Sequence, residues 1–551
     1  MRKNTILPLM CGIGATAVPL SNAHAQQTAD KPNIVLILLD DVGYSDFGCY
    51  GSEIETPNID QLADNGIRLR HFYNQARSAP TRASLLTGLY PHQVGNGALG
   101  KVPGYSAYQG HPNEENAFIP EVLKSAGYFS VMTGKWHLGQ YQGVTPIKRG
   151  FDRSLNAPFG GFYFSTDVNS PKKANGNTLF LNDEKIAFDD KRLPENWYST
   201  HLWTKYGLEF IDEAIDKKQP FFWYLAHNGA HFPLQAPQKT IDKYKGKYMN
   251  GWEDVRNARF QKQLEMGLFE SPDQLTPRNP KAPDWASLTQ VEKERYDLQM
   301  AIYAAVIEEV DRSIGNVVKH LKEKGVLENT LIILLSDNGG NGEPGIEGRF
   351  VGKKPGAVNS TVFLGAAWAD VANTPFFLYK HHGHEGGCNT PFIVSYPKKI
   401  DKSLNNTIQK DDYGHVIDIM PTLVELTGAT YPSSRDGHKV PPMEGVSLLP
   451  LLKGQHVNQL KPVIVEHEGN KMLREGDWKI VQEYKEPEWR LYNLKNDPTE
   501  MKNLAEKEPE VLKHMVGDYN KMADHIGVES EIEFKIGKWY TPVEEYLNNR
   551  K

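Results

Sequence analysis

The chain has 551 residues with a formal net charge of −6, and 39% of them are hydrophobic and 24% charged. That length is enough for a large core divided over two domains, and the composition is that of an ordinary globular protein. Charges of both signs are interspersed, which gives no ground for a nucleic-acid or anionic-membrane partner.

Residues 1–25 stand apart. "MRKN" gives a basic start, "TILPLMCGIGATAVPL" an apolar stretch, and Ala23-His24-Ala25 a small-x-small cleavage site. The segment reads as a secretory signal peptide, too short and interrupted to span a bilayer. A freely soluble product, periplasmic or extracellular and without membrane insertion, is expected. Cys11 falls within the segment, so Cys49 and Cys388 remain after processing. Two thiols in so long a chain make no disulfide framework, and unpaired cysteines are expected.

Further along, "NIVLILL" (33–39), "YFSVMT" (128–133), "FFWYLA" (221–226), "TLIILLS" (330–336) and "FIVSYP" (392–397) are short apolar runs. Such runs suit strands buried on both faces of a mainly parallel sheet. Between them lie helical patterns, among them "IDQLADNGI", "FIPEVLKSAG", "YGLEFIDEAIDKK" and "YAAVIEEVDRSIGNVVKHLKEKG". The alternation predicts an α/β fold in which a large, mainly parallel sheet is sandwiched by helices, with ligands beyond the carboxyl ends of the strands.

"SAPTRASLLTG" (78–88) predicts a short helix over roughly 80–87, with Ser78 placed to cap it, Pro80 in the first turn and Gly88 at the exit. Residues 238–295 and 340–375 read as polar, irregular insertions of the kind that shape substrate sites. From residue 455 the pattern changes to alternating strands, followed by the amphipathic "PEVLKHMVGDYNKMADHIG". The expected organisation is a signal peptide (1–25), a catalytic domain (26–454) and a smaller C-terminal α+β domain (455–551) carrying an antiparallel sheet.

Asp40 and Asp41 follow the first strand, and Asp337 and Asn338 follow another. One acidic pair could merely cap a helix. Two pairs at the ends of two core strands make a hard-oxygen site suited to calcium or magnesium, and no Cys/His spacing points to zinc. Lys135 and His137 in "TGKWHLG" stand two apart, so in extended chain they project to one side. "LAHNGAHFPLQAP" offers His227 and His231. "LYKHHGHEGGCNTP" offers Lys380 with His381, His382 and His384, a tract whose three histidines are expected to be bystanders. The aromatics of "APFGGFYF", with Trp223 and Trp368, belong to core more often than to a ring-stacking surface.

Taken together, these segments resemble type I sulfatases of the alkaline phosphatase superfamily. "SAPTRASLLTG" resembles the family's signature, and "LDDVGYSD", "GKWHLG", "AHFPLQAP", "SDNGG" and "YKHHGHEGGCNTP" resemble its remaining blocks, in the family's order. "GAAWADVANTPFFLYK" is most similar to the branch containing bacterial arylsulfatases. The resemblance implies an alkaline phosphatase-like fold and oxidation of Ser78 to formylglycine (3-oxoalanine) by a radical maturase that accepts serine. Ser78 stands where cysteine is commoner, and Thr81 where serine is commoner. An ordinary serine would be left as a stable sulfate ester. A hydrated aldehyde has a second hydroxyl, whose deprotonation expels sulfate by C–O cleavage.

The resemblance further implies that Asp40, Asp41, Asp337 and Asn338, with residue 78 itself, hold one calcium ion. Arg82 would orient the diol, and Lys135 and Lys380 would hold the sulfate oxygens. His231 would protonate the departing alcohol, and His137 would take the proton that releases sulfate. The implied function is that of an exported sulfatase. Its expected substrate is an O-sulfated saccharide trimmed from a chain end, such as a 3-O-sulfated galactose, with aryl sulfates as artificial substrates. The alternative within the superfamily is a phosphoesterase or phosphonate hydrolase using Ser78 directly. One oxygen-bound metal with two lysines suits a monoanionic sulfate ester better than a phosphate dianion. A non-catalytic glycan-binding protein would not require Arg82, His137 and His231 together.

Overall fold

The computed structural model describes Met1 and residues 31–166, 178–459, 461–484, 486–534 and 541–548. Apart from Met1, the expected signal peptide lies outside the described residues. Strand Asn33–Leu39 is buried along its whole length in the middle of a ten-stranded sheet. Val35, Ile37 and Leu39 pack into one helical layer, and Ile34, Leu36 and Leu38 into the other. With both faces covered, successive side chains must all be apolar, which is why the run is continuous rather than alternating.

Thr330–Ser336 and Phe221–Ala226 flank this strand in parallel, and Phe129–Lys135 and Arg153–Ala157 continue the parallel run outward. On the other side Phe392–Ser395 runs antiparallel between Thr330–Ser336 and Ile67–Tyr73, and Thr407–His415 forms the edge. Helices Ser199–Asp216 and Gln290–Glu323 cover one face, and Ser78–Thr87 with Ile419–Thr427 the other. This is the expected α/β sandwich. Among the described residues, no helix is long and apolar enough to cross a membrane. Cys49 and Cys388 are both buried and unpaired, as expected.

A second, antiparallel sheet comprises Val463–His467, Asn470–Glu475, Trp478–Gln482 and Arg490–Asn493. One face carries helix Pro509–Ile526, and the other packs near Tyr73 and Cys388. Here Lys479 is fully buried between Glu385 (2.6 Å) and Glu500 (2.8 Å). Removing one member of a buried ion cluster leaves charge uncompensated, at a cost of about 3–5 kcal/mol. Lys479→Met is therefore expected to lower the denaturant midpoint. A midpoint equal to that of the wild type would show that this cluster does not fasten the sheet.

Of the two segments expected to be irregular, 238–295 is mainly helical, whereas 340–375 is mostly irregular, as expected. Residues 238–295 contain helices Gln238–Tyr244 and Trp252–Glu265 and the first turn of Gln290–Glu323. Their polarity is misleading because part of the buried face is arginine: Arg259 is held by Asp46 (2.9 Å) and Glu53 (2.8 Å). Residues 340–375 hold a two-stranded ribbon, Arg349–Val351 with Thr361–Phe363, and helix Ala366–Ala372. Strand Ile67–Tyr73 escapes the apolar criterion for the same reason. Its Arg68 and Arg70 are buried, bonded to Asn406 and Glu270.

Candidate active site

Parallel strands discharge their carboxyl ends at one edge, and the chemistry-bearing side chains collect there. Asp40 and Asp41 follow Asn33–Leu39, Asp337 and Asn338 follow Thr330–Ser336, and Lys135 closes Phe129–Lys135. Asp41 (φ 62°) and His137 (φ 58°) adopt left-handed backbone, which non-glycine residues rarely do. The extended-chain expectation for Lys135 and His137 is thus corrected: the strand ends at Lys135, and a left-handed turn carries His137 to Ser78.

The helix spans Ser78–Thr87, two residues longer at its start than expected, and Arg77 occupies the N-cap. No side chain caps it. The Ser78 hydroxyl instead accepts a hydrogen bond from Arg82 Nε (3.1 Å) and lies 3.3 Å from His137 Nδ1. Arg82, one turn on and fully buried, donates through Nη2 to Asp337 Oδ2 (2.8 Å) and through Nη1 to the Lys135 carbonyl (3.0 Å). Lys135 Nζ lies 2.6 Å from Asp40 Oδ2, and Lys380 Nζ lies 2.6 Å from Asp41 Oδ1. His231 Nδ1 is 2.6 Å from the Phe232 carbonyl, and its Nε2 is 3.7 Å from Asp41 Oδ2. Asp41 N–H donates to Asp337 Oδ1 at 3.3 Å and Asn338 Nδ2 to Asp41 Oδ1 at 2.7 Å, which joins Asp40, Asp41, Ser78, Arg82, Lys135, His137, His231, Asp337, Asn338 and Lys380 into one cluster.

Three buried carboxylates (Asp40, Asp41, Asp337) thus face three buried cations (Arg82, Lys135, Lys380). A divalent cation with a free sulfate dianion would leave that charge balanced, whereas the cation with a monoanionic sulfate ester adds one net positive charge. Burial, reinforced by Asp337, raises the Asp40 carboxyl above its ordinary range. Burial also penalises Asp41, but Lys380, His231 and Lys135 outweigh it and hold the group low. Burial, aided by Lys135 and Arg82, depresses His137 well below the usual imidazole value.

Two oxygens test the fit of a metal. Asp40 Oδ1 and Asn338 Oδ1 are buried and accept no hydrogen bond, while Asn338 Nδ2 donates to Asp41 Oδ1 at 2.7 Å. Buried acceptors without donors are costly unless something supplies positive charge. Ligating atoms of Asp40, Asp41 and His231 lie within 4.8 Å of one another. A set of hard oxygens with spare lone pairs fits calcium.

Around the cluster, sequence reasoning missed Asn341, Arg77 and Glu343 and set His381 aside as a bystander. Asn341 Nδ2 donates to Asp41 Oδ2 at 2.7 Å. Arg77 Nη1 bonds Glu343 Oε1 at 2.9 Å and also His381, whose Nε2 is 3.2 Å from the same carboxylate. Their only signal was chain proximity to Ser78, Asn338 and Lys380. The other histidines are structural: His227 bonds Ser313 (3.2 Å), and His382 and His384 share Glu483 (2.7 and 2.9 Å). Trp223 and Trp368 are fully buried core.

The model of the sulfatase family matches residues 32–429, and that of the N-sulphoglucosamine sulphohydrolase C-terminal region matches residues 376–526. An uncharacterized sulfatase of Schizosaccharomyces pombe is 34% identical over an alignment of 535 positions that covers 90% of this chain and 93% of the relative. An arylsulfatase of Klebsiella aerogenes is 34% identical over an alignment of 451 positions that covers 77% of this chain and 93% of the relative. The solved structure of Ps i-CgsB in complex with k-i-k-neocarrahexaose is similar with a TM-score of 0.67 and 26% identity, covering 94% of this chain and 96% of that one.

Proposed function

The chain belongs to the sulfatase family and hydrolyses sulfate esters, and from that premise we propose that it is an exported, exo-acting carbohydrate sulfatase. In this reading Ser78 is matured to formylglycine by a radical enzyme that accepts serine, and Asp40, Asp41, Asp337 and Asn338 hold one calcium ion. The observation that carries it is the setting of Ser78. Its hydroxyl caps nothing and points between Arg82 and His137, beside three carboxylates and two lysines. A solved relative in complex with a neocarrahexaose supports a saccharide sulfate as substrate, of which 3-O-sulfated galactose is one member.

Bound calcium would supply Lewis-acid polarisation, and the hydrated formylglycine a nucleophilic oxygen with a second hydroxyl. The chain's own groups do the rest. Arg82 fixes the side chain of residue 78 through Nε while Asp337 anchors its other edge. Lys135 and Lys380 each keep ammonium donors beyond those spent on Asp40 and Asp41, and these hold the non-bridging sulfate oxygens as their charge grows. His231 donates Nδ1–H to the Phe232 carbonyl, so its protonated ring presents Nε2–H to the leaving oxygen. His137 Nδ1, 3.3 Å from Ser78 Oγ, is placed to accept a proton from residue 78. Backbone N–H groups at the start of helix Ser78–Thr87 add a favourable field for the anion.

The direct experiment is sulfate release by the mature protein from 4-nitrophenyl sulfate and from a panel of sulfated mono- and disaccharides. Release from the aryl ester alone would overturn the carbohydrate assignment. His231→Ala is expected to lower kcat for saccharide sulfates about 100-fold and for 4-nitrophenyl sulfate only a few-fold, because a phenolate leaves with little protonation. Equal losses on both would remove His231 from the leaving-group side. Mature protein from the native host should begin just after Ala25 and be found outside the cytoplasm.

A further inference from the structure

Large hydrophobic side chains are rarely left exposed among the described residues. The exposed ones are Met1, Val291 and two aromatics, Phe159 (39% exposed) and Tyr141 (47%). Phe159 adjoins the cluster, and Tyr141 adjoins Phe159. The Phe159 ring stands 5.3 Å from the ring of His137, nearly perpendicular to it, and Tyr141 packs 6.3 Å behind. The loop bearing Phe159 is pressed onto the site at both ends. His137 N–H donates to the Pro158 carbonyl at 3.0 Å. A Cβ at position 160 would come within 2.9 Å of Lys135 Cδ and 3.3 Å of Asp40 Oδ2, so only glycine allows this approach. The exposed ring is therefore fixed beside the groups assigned to sulfate and metal.

Resting on the sulfatase reading above, we propose that Phe159, backed by Tyr141, is a stacking platform for a sulfated pyranose ring, and that it helps to select saccharide over aryl leaving groups. A pyranose offers one apolar face of C–H groups, which suits the negative face of an aromatic ring, and a rim of hydroxyls. Arg77 and Glu343, bonded to each other at 2.9 Å beside Ser78, are the polar groups assigned to such a rim. An aryl group, apolar on both faces, would leave those groups unanswered.

Binding measured by calorimetry on full-length Ser78→Ala protein tests this without dependence on maturation or turnover. The probes are the panel of sulfated monosaccharides of galacto, gluco and fuco configuration, 4-nitrophenyl sulfate, and inorganic sulfate. Adding Phe159→Ala is expected to weaken the tightest-binding saccharide about ten-fold, while Phe159→Tyr stays within about three-fold and inorganic sulfate shifts less than about two-fold. Four results would overturn the platform: no saccharide in the panel binds, saccharide affinity is unchanged by Phe159→Ala, sulfate and saccharide weaken together, or 4-nitrophenyl sulfate loses more than the saccharide. Failure of the sulfatase reading would show separately, as mature wild-type protein that releases no sulfate from any ester.

Discussion

Ser78→Ala is expected to abolish sulfate release, with a loss of about 10⁴-fold or more, while the protein remains folded. The size of the loss follows from the role assigned to the residue. Lys135, Lys380 and Arg82 can still hold a sulfate group, but no atom of the chain replaces the oxygen that attacks sulfur. The fold should survive because the Ser78 hydroxyl caps no helix, and Arg82 keeps Asp337 and the Lys135 carbonyl when that partner is lost. Loss of the remaining hydrogen bond costs about 1 kcal/mol, which thermal unfolding would resolve from a collapse. Mass analysis of the peptide spanning residue 78 separates formylglycine chemistry from ordinary serine chemistry. In active protein that peptide should be lighter than the encoded one by two hydrogens. Full turnover with an unaltered serine would instead favour direct attack by the hydroxyl.

The middle of the sheet was legible because burial on both faces forces continuous apolar runs, as in Asn33–Leu39 and Thr330–Ser336. The long helix Gln290–Glu323 announced itself through its apolar stripe over 303–321. Elements with buried arginines were illegible, since Arg68, Arg70, Arg256 and Arg259 count as polar in any pattern and reveal their partners only after folding. The candidate site was legible where each strand end carries its own short block: Asp40-Asp41, Lys135, and Asp337-Asn338. Asn341, Glu343 and His381 lie in loops whose meeting depends on tertiary structure. The aromatic block around Phe159 divided in a way composition could not foresee. Tyr163 went to the core, and Phe159 stayed part-exposed beside His137.

Removing calcium is expected to lower turnover at least about 100-fold and the Tm by about 1–3 °C, both restored by adding the ion back. The catalytic effect is the larger because the ion would meet the charge that develops on sulfate and on residue 78, whereas only its binding to the native state contributes to stability. The stability effect has the stated sign because Asp40, Asp41 and Asp337 are buried together, and burial with Asp337 nearby already disfavours the charged form of Asp40. A cation relieves that repulsion in the folded state alone. Asn338→Ala deletes a buried acceptor that has no hydrogen-bond partner, along with the Nδ2 bond to Asp41 Oδ1, so the calcium dependence of turnover rather than the Tm reads out ligation. It should raise the calcium concentration needed for half-maximal activity about ten-fold while saturating calcium recovers most of the turnover. Turnover indifferent to chelation, or an Asn338→Ala deficit that no amount of calcium repairs, would show that these oxygens serve the fold rather than a metal.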